Sequence, residues 1–192
     1  MQTLRQQLIL KRNLIPAYKR EQYAHQAWVH LHNWPHLYQF QSIACYLPVN
    51  GEFPTQAIIQ GLQSIHKNIY LPIVHKKSQS LSFQHYQSQT PMRRNTFGIA
   101  EPIPNAKKQI LLPQLDLVIM PLTGFDFKGN RIGMGGGYYD RSFEFLLKHS
   151  NTPKPFMLGL GYQVQKSNNI IPQHWDVPLN GILTEATLIR IK

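Results

Sequence analysis

The chain predicts an open, largely parallel α/β sheet with helices on both faces, a Rossmann-like three-layer arrangement forming one domain over residues 1–192. Three observations predict it. Short apolar runs rich in Val, Ile and Leu, such as residues 115–120 and 156–160, alternate with amphipathic stretches, the pattern of βαβ units. Breaker-rich turns at residues 48–54, 121–130 and 161–165 follow such runs, and open sheets bind ligands beyond the carboxyl ends of their strands. The length of 192 residues suits one domain with a full core.

The elements follow in order. Residues 2–12 read as a short helix. A second helix carries Ala24, Ala27, Trp28 and Leu31 on one face and ends by Pro35. Residues 42–47 form a strand, followed by the turn around Asn50-Gly51. Thr55 is expected to cap the next helix, whose apolar stripe is Ile58, Ile59 and Leu62. Ile69-Tyr70-Leu71 is a strand stopped by Pro72. Residues 80–86 alternate Leu81, Phe83 and His85 against Ser82, Gln84 and Tyr86, as an exposed or edge strand does. Residues 87–112 are polar and proline-bearing, a long loop around Gly98. After the strand at 115–120 come a glycine loop and a helix to His149. Tyr139, Phe143, Leu146 and Leu147 recur on that helix at i, i+4, i+7 and i+8. Residues 156–160 are a strand, and 181–191 a terminal strand or pair.

A composition of 42% hydrophobic and 15% charged residues argues against disorder. The one cysteine, Cys45, lies in a strand-like run and reads as a buried, inert thiol. No apolar run approaches the ~20 residues of a membrane span. Leu8-Ile9-Leu10 runs at once into Lys11-Arg12, unlike a secretory leader. A cytoplasmic protein without membrane contact is expected. The net charge of +11 admits nucleic acid, a multiply anionic small molecule or a merely solubilising surface. The cations are scattered in pairs, such as Lys76-Lys77 and Arg93-Arg94, without a long basic run, so nucleic acid is not the expected partner. No pair among the nine histidines has a cysteine, aspartate or glutamate at ligand-like spacing, so a zinc site is not expected. There is no Gly-x-Ser-x-Gly nucleophile turn.

Four glycines fall within residues 133–137, between strand and helix: Arg131, Ile132, Gly133, Met134, Gly135, Gly136, Gly137, Tyr138, Tyr139, Asp140. Residues without a Cβ let backbone N–H groups approach a ligand, and the following helix points its positive end at the loop. Phosphate suits this arrangement, although the spacing is neither a P-loop nor a dinucleotide fingerprint. Arg131 offers a planar fork to a phosphate. Asp140, in the first helical turn, reads as a Mg²⁺ ligand or as a partner of the helix dipole. Glu52, in a turn after a strand, reads as an acceptor for a polar ligand ring or as a solvated glutamate.

Several segments in order resemble the 5-formyltetrahydrofolate cyclo-ligase (5,10-methenyltetrahydrofolate synthetase) family. They are Leu4-Arg5; Leu47 through Gly51-Glu52 with Thr55; Asn95 through Pro102; Asp116 through Pro121; Gly124-Phe125-Asp126; Gly129 through Asp140; Gly159-Leu160-Gly161-Tyr162 with Gln165; and Asp176 with Thr184-Glu185. The resemblance implies ATP- and Mg²⁺-dependent conversion of 5-formyltetrahydrofolate to 5,10-methenyltetrahydrofolate, with phosphorylation of the formyl oxygen and attack by N10. It implies ATP contacts from Arg5 and from Arg131 through Tyr139, and folate contacts from Leu47, Glu52 and Met134 through Tyr138. It further implies Mg²⁺ on Asp140 and chemistry carried by Arg131 and Tyr138. The partners it implies are ATP and a folate whose glutamate tail can be extended, on a monomer. Asp140→Ala is then expected to abolish Mg²⁺-dependent turnover and leave the fold intact.

Two positions depart from the family pattern. Met1 stands where the family has lysine, so either the chain starts further upstream or Lys11 or Arg12 substitutes. Asn180 stands where an aspartate is expected as second metal contact, and offers only a neutral oxygen. Two alternatives remain: a non-catalytic relative binding nucleotide or RNA through its basic surface, and a sugar-phosphate isomerase or acyl-CoA transferase on a similar sheet.

Overall fold

The structure, a computed structural model, describes residues 2–148 and 154–191. Helix α1 (Leu4–Asn13) starts at a capping box, in which the N–H of Gln6 donates to Thr3 Oγ1 and the N–H of Thr3 to Gln6 Oε1. Helix α2 (Ala17–His32) buries Ala24, Ala27 and Leu31, and a 3₁₀ turn at Pro35–Gln39 leads into the sheet. Strand β1 (Ser42–Ala44), helix α3 (Gln56–Ser64) and strand β2 (Asn68–His75) form the first βαβ unit. Thr55 stands at the N-cap of α3, but its oxygen accepts no helix N–H; its hydroxyl instead donates to the carbonyl of Tyr46, tying the helix start to the turn.

β2 runs straight through Pro72, contrary to the expected stop. The carbonyl of Tyr70 faces β1 and accepts the N–H of Cys45. Backbone groups alternate sides along a strand, so Pro72 also presents its nitrogen to that side. Pairing with β1 has already ended there, at Ala44–Tyr70, so no ladder N–H is missed. Val74, next on the same side, donates to Glu101 Oε2 at 3.0 Å. Strand β3 (Ser80–Tyr86) pairs antiparallel with β2, yet it is not the edge. Residues 87–112 are not one loop. They hold a hairpin, β4 (Met92–Arg94) with β5 (Ala100–Pro102), a 3₁₀ turn at Ala106–Lys108, and the short edge strand β6 (Gln109–Ile110) beside β3.

Strand β7 (Leu117–Pro121) is followed by a hairpin of β8 (Gly124–Phe125) and β9 (Arg131–Ile132), where a plain turn was expected. Asp126 builds its tip: Oδ1 accepts the N–H groups of Lys128 and Asn130, and Oδ2 the Asn130 side chain. The helix after the glycine loop is broken at Glu144 into α4 (Tyr138–Phe143) and α5 (Phe145–Lys148), and the expected end at His149 lies outside the described residues. Strand β10 (Phe156–Leu160) matches its expected bounds, and the C-terminal segment is a pair, β11 (Gly181–Leu183) and β12 (Leu188–Arg190).

The main sheet has the order β12-β11-β10-β7-β1-β2-β3-β6. Its parallel strands, in chain order, lie 2-1-3-4-5, a doubly wound order whose switch point falls between β1 and β7. Alternate residues of β7 feed two cores. Leu117 and Ile119 join Leu31, Ile58 and Leu62 of α2 and α3 on one face, while Val118 and Met120 join Phe143 of α4 on the other.

Candidate active site

At a switch point the loops after the two neighbouring strands leave in opposite directions and open a crevice. Here one loop carries Glu52 and the other the glycine block. After β1, the chain turns at Val49–Glu52, with the N–H of Glu52 donating to the carbonyl of Val49 at 2.9 Å. Asn50 and Gly51 both have positive φ (49° and 79°), the conformation Asn-Gly favours in tight turns. The Glu52 side chain is 8% exposed and accepts the N–H of Val49 at 3.1 Å. Burial raises its pKa, opposed by that hydrogen bond and by the nearby Arg12 charge. Leu47, half-buried, packs against the first core. Tyr46 donates its hydroxyl to the carbonyl of Phe53, and Tyr46 and Tyr139 both feel the Glu52 charge. Tyr139, beside the glycine block, thus lies within electrostatic reach of Glu52.

After β7, hairpin β8–β9 delivers Arg131, whose side chain is 5% exposed and pairs with Asp140 of α4. The same guanidinium donates to the carbonyl of Val177, and Asp140 Oδ1 accepts the N–H of Val177 at 3.1 Å. Arg131 and Asp140 are therefore each other's partner, which the sequence did not suggest. No protein group donates to Asp140 Oδ2 among the described residues. Arg5 reaches across from α1 and donates Nε to the carbonyl of Gly133 at 3.0 Å. Gly137 begins α4 in the left-handed conformation (φ 65°), with Arg141 Nη1 2.6 Å from where a Cβ would stand. Gly133, Met134, Gly135 and Gly136 are exposed, and Ile132 and Tyr138 half-buried. Thr123 Oγ1 lies 3.3 Å from Met134 Sδ. Because α4 is so short, guanidinium groups supply more of the positive potential than the helix dipole does.

Two residues at the loop were missed by sequence reasoning. Arg141 donates to the carbonyls of Gly136 and Gln79 and lies over the Tyr138 ring. Its one-turn spacing from Gly137 was the available signal. Phe97, at the tip of hairpin β4–β5, meets Tyr138 edge-on at 6.0 Å between ring centroids. Within the Asn95–Pro102 motif, Glu101 is 2% exposed and accepts from Arg93, Asn95 and Val74, so the acidic residue locks the hairpin. Gln165, fully buried, donates to the carbonyls of Leu122 and Thr123 and braces the loop after β7.

At the second departure from the family pattern, Asn180 Oδ1 accepts the N–H of Met157 at 2.8 Å, joining the start of β11 to β10. Lys11 is exposed, and Arg12 turns to the Asn50 carbonyl instead of the glycine loop. Met1 lies outside the described residues. Cys45 is fully buried and its thiol pKa is pushed up to about 12, as expected of an inert group. No group of three or more metal-ligating side chains occurs among the described residues, and no described helix is long and apolar enough to cross a membrane.

Fold and candidate site together point to a class: an open-sheet α/β enzyme whose candidate site lies at the topological switch point. The family model described as the 5-formyltetrahydrofolate cyclo-ligase family matches residues 1–185. The chain is 44% identical over 146 residues to a 5-formyltetrahydrofolate cyclo-ligase of Haemophilus influenzae, covering 76% of each chain. It is 31% identical over 177 residues to that of Escherichia coli K12, covering 92% of this chain and 94% of the other. The solved structure of Aquifex aeolicus 5,10-methenyltetrahydrofolate synthetase superposes with a TM-score of 0.81 at 26% identity, over 98% of this chain and 91% of that one. The chain belongs to the 5-formyltetrahydrofolate cyclo-ligase family, and it is a ligase.

Proposed function

We propose that the protein converts 5-formyltetrahydrofolate to 5,10-methenyltetrahydrofolate at the expense of ATP, with Mg²⁺ required. The observation that carries this reading is the meeting, at one switch point, of a guanidinium-rich glycine loop and a buried carboxylate turn. The first suits polyphosphate and the second a polar heterocycle. Arg5 and Arg141 each donate to a carbonyl of the loop, at Gly133 and Gly136, and bring two guanidinium groups beside its exposed glycines. Ile132, Gly133, Met134, Gly135, Gly136, Gly137, Tyr138 and Tyr139 line the nucleotide side. Glu52 and Leu47 take the pterin side, and Met134 through Tyr138 meet both ligands.

In this reading the formyl oxygen attacks the γ-phosphorus, the bond to the ADP oxygen breaks, and an imino-phosphate forms. N10 then attacks the imino carbon and loses its proton to solvent, and phosphate leaves with the former formyl oxygen. An amide-like oxygen leaves poorly until it is phosphorylated, so the chain's work is to align the reactants and stabilise charge. Arg131 holds Asp140 in place and supplies positive charge under the loop. Tyr138 covers the reacting end, with Phe97 against it. The residues fit Mg²⁺, which takes one or two carboxylates and fills its shell with phosphate oxygens and water. Asp140 Oδ2 is the first candidate. Asp176 is the second, because the hydrogen bonds of Val177 bring that segment against Arg131 and Asp140. Bound there, the ion would neutralise charge on the phosphates.

Folded protein with Mg·ATP and 5-formyltetrahydrofolate is expected to show rising near-ultraviolet absorbance from the methenyl product. A flat trace, with the fold verified by circular dichroism, refutes the reading.

A further inference from the structure

Helix α1 carries three residues on one face to three separate loops. Arg5, Leu8 and Arg12 fall at i, i+3 and i+7. Arg5 donates to the Gly133 carbonyl, Leu8 packs against Gly124, and Arg12 donates Nη2 to the Asn50 carbonyl at 2.7 Å. Arg12 is 1% exposed, and among the described residues its Nε and Nη1 donors have no partner; nor has the buried hydroxyl of Tyr162. Arg12 and Tyr162 each feel the other's charge.

A guanidinium this deep, with so few hydrogen bonds, is costly to bury. Its place in the last turn of α1 offsets only part of that cost through the helix dipole. Among the described residues its hydrogen bond goes to the turn that presents Glu52, and Glu52 is the carboxylate whose charge it feels. The two are not in ion-pair contact, so Arg12 acts on the carboxylate at a distance and through the backbone it grips. The other titratable groups that feel the Glu52 charge are Tyr46, which follows β1, and Tyr139 of α4; Cys45 and Tyr162 couple in turn to Tyr46, Arg131 to Tyr139 and Arg20 to Arg12. All the phenols are neutral at working pH, which leaves Arg12 as the charge that opposes protonation of Glu52.

We propose that Arg12 is a positioning residue for folate recognition: it pins the Asn50-Gly51 turn and sets Glu52 as a carboxylate facing the switch-point crevice. The proposal rests on the folate reading for the identity of the ligand, but the positioning itself can be read without any ligand. Removing a positive charge leaves Glu52 easier to protonate, so its titration must move to higher pH.

The test has two arms. In the first, the five glutamates are labelled with ¹³C at the carboxyl carbon, and Glu52, assigned through Glu52→Gln, is titrated by NMR in the free protein. Arg12→Met is expected to raise the Glu52 midpoint by about one unit, a tenfold change in proton affinity, while Arg12→Lys holds it near the parent value. In the second, Arg12→Met is expected to raise the KM for 5-formyltetrahydrofolate about tenfold, with kcat and the KM for ATP within about twofold. That effect and the effect of Glu52→Gln should be less than additive in a double-mutant cycle. An unmoved Glu52 titration in folded Arg12→Met, or full additivity, overturns the proposal. Should Arg12→Met fail to fold, Arg12→Lys carries the test: it keeps the charge but loses the fork, so it must raise the folate KM severalfold without moving the Glu52 titration. A moved titration with no turnover by the parent protein would sink the folate reading and leave the positioning role standing.

Discussion

Asp140 is the counter-ion of Arg131 and the proposed Mg²⁺ ligand, and the two roles pull its substitution tests apart. As the counter-ion of Arg131, whose side chain is 5% exposed, it neutralises a buried guanidinium. Removing one partner of a fully buried pair costs about 3–5 kcal/mol; Asp140 is itself 21% exposed, which places the cost below that range. The expectation that Asp140→Ala leaves the fold intact therefore changes. Asp140→Ala should lower stability by roughly 1–3 kcal/mol and abolish turnover. Asp140→Asn retains an oxygen for the Val177 N–H, so it should recover part of that stability and none of the turnover. Urea unfolding alongside the absorbance assay checks both, and an active Asn variant would remove Asp140 from the metal site. At this scale the Arg131–Asp140 block was legible because its residues are contiguous. Arg141 was overlooked beside it. Phe97 could not be read at all, because only the packing of a distant hairpin brings it to Tyr138.

Helices α2 and α3 touch through Gly61. A Cβ built there would lie 2.3 Å from the Trp28 ring, so the pair packs at a distance that only glycine allows. Alanine is the better helix former by about 1 kcal/mol, but overpacking a tight contact costs about 1–3 kcal/mol. Overlap wins here because the atoms met are the fused ring of Trp28, which cannot bend aside as the end of a flexible chain does. Gly61→Ala is expected to destabilise the protein by about 1–2 kcal/mol in urea unfolding, and adding Trp28→Leu should recover most of the loss. A neutral or stabilised Gly61→Ala would show that the helices slide freely. Elements with a clean apolar period, such as α3 and β10, were legible from their own residues. Hairpins β4–β5 and β8–β9 were not, since neither has a hydrophobic period. They are held by buried side-chain acceptors, Glu101 in one and Asp126 in the other, whose partners are polar backbone and side-chain groups. Pro72 misled for a related reason: a proline breaks a strand only where its nitrogen faces a neighbour.

Across the whole molecule the sheet is stitched at the end opposite the site by Asp116. Its Oδ2 accepts the N–H groups of Gln41 and Ser42, and Lys154 Nζ lies 2.6 Å from Oδ1, so one carboxylate joins β1, β7 and the approach to β10. Burial alone would raise its pKa, but Lys154 and the two N–H groups outweigh that and hold it below the usual 3.8. A depressed folded pKa adds stability above the unfolded value, and that stability is lost as pH falls from about 4 through the lower folded value. The melting temperature should therefore drop across that acid window in the parent protein, and Asp116→Asn should flatten the drop. A parallel fall in both proteins would assign the acid loss to other carboxylates.

Family membership sets aside the sugar-phosphate isomerase and acyl-CoA transferase alternatives. The sequence by itself determined the parallel α/β class, the glycine block and the family, because period, turn chemistry and contiguous motifs are local properties of a chain. The tertiary structure decided which distant groups share a charge or a hydrogen bond: Arg5 with Gly133, Arg12 with Asn50, Asn180 with β10, and Arg131 turned onto Asp140 and Val177. Those pairings follow from the strand order and the place of α1 across the strand ends. They are non-local contacts that the periodicity of a single segment does not encode.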